Sequence, residues 1–261
     1  MSTILKEADA ALARAQKLIA ENKLEDAAAQ LDTAIGGFEA AGEPYGLVLA
    51  LKLASETSRD LGELETALAQ VRRAHSVLAD TKPEAEQIAD FATEVGSIYA
   101  QMNDLTKARI WYVQGLHGYE SAGRLPETAH NLICLAGLDR AEEAEDKAQA
   151  NLEAAYEIYQ QLGDKPQMMQ VRSAMAQGLL AEPKNEIALT YLQEVLQLAV
   201  EAGDYAVIAE THQLLALVKA QQGMATQAEA HLAFAADYYT RAGDTEQAGF
   251  IRQLLESSEG K

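Results

Sequence analysis

By residue type, five histidines, one cysteine and a run of four carboxylates are the groups in this 261-residue chain that could do chemistry. His75, His117, His130, His212 and His231 would serve as general bases or metal ligands. No two of them fall in an H-E-x-x-H segment or pair with cysteine at zinc-site spacing. Cys134 stands alone, so it forms no internal disulfide. Its place in an apolar helical stripe suits a small buried hydrophobe better than a nucleophile. Glu142, Glu143, Glu145 and Asp146 resemble a cation site, but at a helix start such a run reads as a solvated turn that complements the helix dipole. No G-x-x-x-x-G-K-[ST] phosphate loop occurs. These residues assign no catalytic, cofactor or metal site, and the expectation is a protein that is not an enzyme.

One spacing sets the elements that hold these groups. Ala27, Ala67, Ala108, Ala148, Ala188 and Ala228 recur at intervals of 40, 41, 40, 40 and 40 residues. Twelve residues before each stands Ala15, Ser55, Gly96, Ala136, Ala176 or Ala216, all small. Seven after comes a mostly small row: Ala34, Ala74, Gly115, Ala155, Val195 and Ala235. Eleven after comes a mostly large one: Phe38, Leu78, Tyr119, Tyr159, Ala199 and Tyr239. Fifteen after comes Gly42, Lys82, Gly123, Gly163, Gly203 or Gly243. A fixed period of this size marks an array of one supersecondary unit.

The unit is two helices. In the fourth, Ala129, Leu132, Ile133, Leu135, Ala136 and Leu138 recur at helical intervals over about 127–141. A polar break follows, and Ala148, Leu152, Ala155, Tyr156 and Tyr159 repeat the pattern. Spacings of three and four place apolar side chains on one stripe of a helix, whereas a half-buried strand would alternate. Gly163-Asp164, Gly203-Asp204 and Gly243-Asp244 each offer a helix stop and then a carboxylate acceptor for the next helix start. Lys82-Pro83 replaces that pair, with proline expected in the first turn of the following helix. Breaks inside the units are expected near Asn22, Gly62, Asn103, Glu145, Pro183 and Gly223. Small residues let two helices approach within roughly 8–10 Å, so Ala136 and Ala148 are expected contact points.

These residues resemble the tetratricopeptide-repeat (TPR) family, in a long-repeat variety with units near 40 residues. The resemblance rests on the small residue of the first helix, on the Ala of the second and on the closing turn. It rests also on the large residue four after that Ala: Leu31, Val71, Tyr112, Leu152, Leu192 and Leu232. It covers about residues 2–257. Gly stands where the family ends each unit with Pro, and the late first-helix aromatic appears only as Tyr99. The fold expected is all-α: a right-handed α-solenoid of about six helix–turn–helix repeats plus a C-terminal capping helix. The repeats run approximately 2–42, 43–82, 83–123, 124–163, 164–203 and 204–243, the capping helix 244–257, as one domain over 1–261.

Lys and Arg number 21 against 40 Asp and Glu, a formal net charge of −19. A phosphate backbone is held by Lys and Arg, and no basic stripe exists here, so nucleic acid is not the expected partner. No run approaches 18 consecutive apolar residues, so membrane insertion is not expected. No signal peptide is expected at Met-Ser-Thr-Ile-Leu-Lys, and the single cysteine favours a reducing compartment, the cytoplasm.

In the TPR family, partners lie along a concave face lined mainly by first helices. The resemblance implies a groove at positions six and three before the small residue and one and four after it. These include Leu12, Lys52, Glu56, Arg59, Asp90, Thr93, Ser97, His130, Ile133 and Arg140. The later units add Gln170, Ser173, Gln177, Glu210 and Gln213. Some TPR co-chaperones clamp a C-terminal carboxylate with Lys and Asn; here Glu56 follows Lys52 where Asn is wanted, and Asp90 and Glu94 would repel the carboxylate. Arg59 and Arg140 would either anchor acidic side chains of a partner or pair with a neighbouring repeat. Trp111 would be either a surface hot spot or a packing aromatic. The function implied is a scaffold or adaptor that binds a peptide or helical segment of another protein. A sensor responsive to a peptide or small ligand, and a self-assembling structural module, stand as alternatives, and the oligomeric state is left open.

Overall fold

The computed structural model describes residues 3–80, 83–181 and 186–259. Among these residues the chain forms thirteen α-helices and no strand. They are α1 (Thr3–Ala20), α2 (Leu24–Ala41), α3 (Pro44–Asp60), α4 (Leu64–Ala79), α5 (Ala85–Gln101), α6 (Leu105–Ala122) and α7 (Leu125–Ala141). α8 (Glu145–Leu162), α9 (Lys165–Gly178), α10 (Glu186–Ala202), α11 (Tyr205–Gln221), α12 (Ala225–Ala242) and α13 (Thr245–Glu259) complete the set. Two compact units divide the chain, Met1–Leu138 and Asp139–Lys261. In the first, consecutive helices between α1 and α6 pack pairwise; in the second, those between α8 and α13 do so. This is an α-solenoid of helical repeats.

Burial follows the 40-residue register. The six repeat alanines are at most 7% exposed, and Ala15, Ser55, Gly96, Ala136, Ala176 and Ala216 are buried too. Large residues at the remaining inward positions fill the space this leaves: Phe38, Leu31, Leu152 and Leu192 are all at most 2% exposed. Some approaches are too close for any side chain. A Cβ on Gly96 would stand 2.9 Å from the Tyr112 ring, and one on Gly118 would stand 2.7 Å from Ala89 Cβ. Alternation of small and large side chains at fixed heights therefore sets helix-to-helix distance in each unit.

The helix ends are written in the sequence with two exceptions. Gly42, Gly123, Gly163, Gly203 and Gly243 close α2, α6, α8, α10 and α12 with φ between +65° and +87°. An L side chain there costs about 1 kcal/mol, which is why glycine recurs. Asp164, Asp204 and Asp244 then accept from the backbone N–H of Gln167, Val207 and Gln247 at 3.2, 3.1 and 3.0 Å. The first exception is Pro83, expected in the first turn of a helix. It precedes α5 by two residues, and Gln87 Oε1 instead accepts from the Glu84 N–H at 3.0 Å. The second is the break expected near Glu145, which falls at Glu143 (φ +59°). Glu145 and Asp146 belong to the first turn of α8, where free N–H groups favour carboxylates. A glutamate in the left-handed region gives the sequence no turn signal. Lys82 and Pro183 lie outside the described residues.

Candidate functional site

Within each unit the first helices carry the expected groove positions (its stripe) at or near the surface. Asp9, Leu49, His130, Gln170 and Glu210, six residues before the small position, are exposed, and Asp90 is half-buried. Lys52, Glu56, Arg59, Thr93, Ser97, Ile133, Arg140, Ser173 and Gln213 are half-buried, and Gln177 is exposed. Leu12, expected on this lining, is instead 9% exposed within the core cluster around Ala8, Leu31 and Phe38. α1 packs on α2, and Leu12 shares one apolar cluster with Leu31, Ile35 and Phe38 of α2 and Leu47 and Leu51 of α3.

Many stripe residues already have partners in the neighbouring repeat. Arg59 donates to Glu94 Oε2 at 2.6 Å, and Ser55 Oγ reaches the same carboxylate at 3.4 Å. Lys52 Nζ meets Asp90 at 3.2 Å while Tyr119 donates its hydroxyl to the other Asp90 oxygen at 2.6 Å. Thr93 bonds the fully buried Asn131, whose Nδ2 donates to Thr93 Oγ1 at 3.0 Å. In the second unit Arg140 donates to Glu145 and to the Ala174 carbonyl at 2.6 Å. A Cβ on Gly178 would collide with both of those side chains. Tyr239 donates to Gln213 Oε1 at 2.6 Å. Arg59 and Arg140 thus take the pairing role. No hydrogen bond or ion pair engages the side chains of Glu56, Gln170, Ser173, Gln177 or Glu210 among the described residues. Burial raises the carboxyl pKa of Glu56, against the opposing pull of Lys52 and Arg59. It raises that of Glu210 as well.

Two cavities open on this stripe, one in each unit. The first, of about 260 Å³, is walled by Tyr45, Leu49, Val71, His75, Leu78 and Phe91, with Lys52, Asp90 and Glu94 at its polar side. His75 stacks on Phe91 with ring centroids 4.1 Å apart, and Trp111 meets Phe91 edge-on at 5.6 Å. Trp111 is therefore a packing aromatic. The second cavity, of about 400 Å³, is lined by Met169, Gln170, Ser173, Gln177, Val207 and Glu210.

Sequence reasoning missed two buried polar centres in the second unit, and both stand at one register position. Four residues before the small residue the repeats carry Ala11, Leu51, Ala92, Leu132, Arg172 and His212. Four apolar residues and then two polar ones at an inward position is the signal that could have found them. The Arg172 guanidinium lies 3.7 Å from the Tyr156 ring centroid and 4.6 Å from that of Tyr191, and it pairs with Glu153 and Glu194 at 2.8 Å each. His212 Nδ1 lies 3.0 Å from His231 Nδ1, beside the rings of Phe234 and Tyr238. One ring must donate and the other accept, so at most one of the two can carry a proton on both nitrogens. No cluster of three or more His, Cys, Asp or Glu side chains that could hold a metal ion occurs among the described residues.

Burial depresses the His212 pKa to about 4, with the neighbouring His231 adding to the effect, and burial lowers that of His231 as well. The unfolded chain therefore binds more protons than the folded one below the ordinary histidine value near 6.5. Stability contributed by the neutral pair is full above that pH and is lost as pH falls toward 4. After allowance for the partial exposure of both rings, the loss is about 1–2 kcal/mol by pH 5. A His212→Gln/His231→Gln variant should show a smaller drop in melting temperature between pH 7.5 and 5 than the parent. Equal drops would show that the pair does not govern acid stability.

No protein-family model matches the chain, and no curated protein matches it by sequence. Solved structures do match in fold. Aspartyl phosphate phosphatase F from Bacillus subtilis superposes with a TM-score of 0.76 at 13% identity, covering 98% of this chain and 70% of that one. The fold is tetratricopeptide-like. A signal-transduction ATPase with numerous domains from Pyrococcus horikoshii, with a tetratricopeptide repeat sensor, gives a TM-score of 0.77 at 16% identity. It is matched over 96% of this chain but 39% of its own length. A Rap protein complexed with Competence and Sporulation Factor gives 0.67 at 13% identity, over all of this chain and 77% of that one. The tetratricopeptide-like neighbours share the helical array at identities too low to transfer residue roles. No helix among the described residues is long and apolar enough to cross a membrane.

Proposed function

We propose that the chain is a non-catalytic interaction module that binds a peptide or helical segment of another protein along its first helices, within the cytoplasm. One observation carries the reading: in each unit a cavity opens on the first-helix stripe. The stripe's free Gln, Ser and Glu side chains can hydrogen-bond an extended backbone. Helix packing holds these side chains in place, so ordering them costs little when a partner binds. The Rap neighbour in its complex offers a precedent for ligand binding on this fold. A peptide-responsive regulator is the second reading, favoured by the sensor array of the Pyrococcus neighbour. It would add a conformational response to the same binding event.

Photo-crosslinking in the native cell tests the module directly. A benzophenone side chain at Gln177 or Gln170 should yield a specific adduct, whereas one at Glu157 or Gln193, exposed on second helices, should not. Adducts confined to the second-helix positions would move the binding surface away from the stripe and overturn the proposal.

A further inference from the structure

We propose that the cavity enclosed by α3, α4 and α5 is an anchor pocket for one large apolar side chain of a peptide, with a lysine or arginine of that peptide held beside it by Glu56. The inference rests on the peptide-binding reading above and names the chemistry it selects.

The shape comes first. At about 260 Å³ the cavity has room for a single side chain of the size of Leu, Phe or Tyr. Its mouth is formed by Tyr45 and Leu49, which are 65% and 44% exposed on α3. Adjacent large hydrophobes left in water beside an apolar concavity gain by receiving an apolar guest. The far wall is preorganised: Phe91 is fixed between the His75 ring and the edge of Trp111. A guest ring or branched side chain would meet a surface that need not rearrange.

Charge then selects the neighbour of that side chain. Lys52, Asp90 and Glu94 line the polar side; Arg59 joins them through its pair with Glu94, and Glu56 stands just outside the lining, one turn beyond Lys52 on α3. Lys52 is paired with Asp90 at 3.2 Å and Arg59 with Glu94 at 2.6 Å. That leaves Glu56 with no hydrogen bond or ion pair of its own among the described residues, and only the longer-range pull of those two bases. It is partly desolvated, so its carboxylate is poorly compensated by water. A cation from a ligand would restore that balance, whereas an acidic residue would meet three carboxylates. The chain's formal charge of −19 steers basic segments toward it in the same sense.

Display of random twelve-residue peptides on the intact chain, followed by fluorescence anisotropy of enriched sequences, tests the pocket. The enriched peptides should share a Leu, Phe, Tyr or Met next to Lys or Arg. Replacing that apolar residue by Ala should weaken binding by about tenfold or more. Leu49→Ser and Glu56→Gln should each do the same, with helical circular dichroism retained, because Leu49 is exposed and glutamine keeps the size of Glu56 without adding a cation beside Lys52 and Arg59. Tyr45→Ala provides a second test of the mouth. Enriched peptides that lack the apolar–basic pair, or that bind the variants as tightly as the parent, overturn the pocket and leave the interaction module standing. Absence of any enriched peptide overturns both.

Discussion

Ala188→Asp is expected to lower stability by about 3–5 kcal/mol, enough to unfold much of the second unit. Ala188 on α10 has no exposed surface and packs in a cluster with Ala176 of α9, Leu192, Leu215 and Val218. A carboxylate there has neither water nor a cation, and the helices cannot move apart without breaking the small-residue contacts. Ala148→Asp, at the same register position and equally buried, should behave alike. Gln193→Asp, exposed on the same helix as Ala188, should stay within about 0.5 kcal/mol of the parent. Urea denaturation followed by far-ultraviolet circular dichroism decides the matter. A parent-like midpoint for Ala188→Asp would refute the packing of α9 on α10.

Arg172→Ala should cost about 2–3 kcal/mol, and Arg172→Met less than half of that. The guanidinium is a filler as much as a charge: it lies between the Tyr156 and Tyr191 rings with its side chain only 10% exposed. Its partners Glu153 and Glu194 are 44% and 41% exposed, so water can hydrate Glu153 once the arginine is gone, and can reach the buried Oε2 of Glu194 through the space that Ala leaves. That hydration keeps the loss below the cost of stranding a fully buried ion. Met restores contact with both rings through its thioether, whereas Ala leaves a void. Equal losses for the two variants, measured by denaturant titration, would show that pairing outweighs packing at this site.

What the sequence disclosed and what it hid divide along the range of the interactions. Helix identity, the buried alanines and the glycine turns depend on residues within one repeat, and the 40-residue register exposes them. Ser55 is an instructive case: it reads as one more small residue, and its burial is as expected, but its hydroxyl also reaches Glu94 in the next repeat. For Arg59 and Arg140, pairing with a neighbouring repeat was one of two legible readings, but the partners themselves were not, because Glu94 and the Ala174 carbonyl lie 35 and 34 residues away. The cavity wall had the same origin: Leu49 and His75 belong to one repeat and Phe91 to the next. Arg172 and His212 were hidden differently. Each breaks an otherwise apolar row, and that irregularity becomes informative only when the six repeats are aligned on the inward position.

The reach of these contacts bears on how the chain is made. Among the described side-chain hydrogen bonds, the longest in sequence joins Ser55 to Glu94, 39 residues apart. Every such partner is synthesised within about one further repeat. Low sequence separation of contacts speeds folding, and domains commonly fold from the N-terminus as they emerge. The later side-chain partners described for α3 and α4, among them Asp90, Glu94 and Tyr99, lie on α5, so these helices need wait only for α5 to emerge. At no stage need more than about one repeat's inward stripe wait, uncovered, for its neighbour.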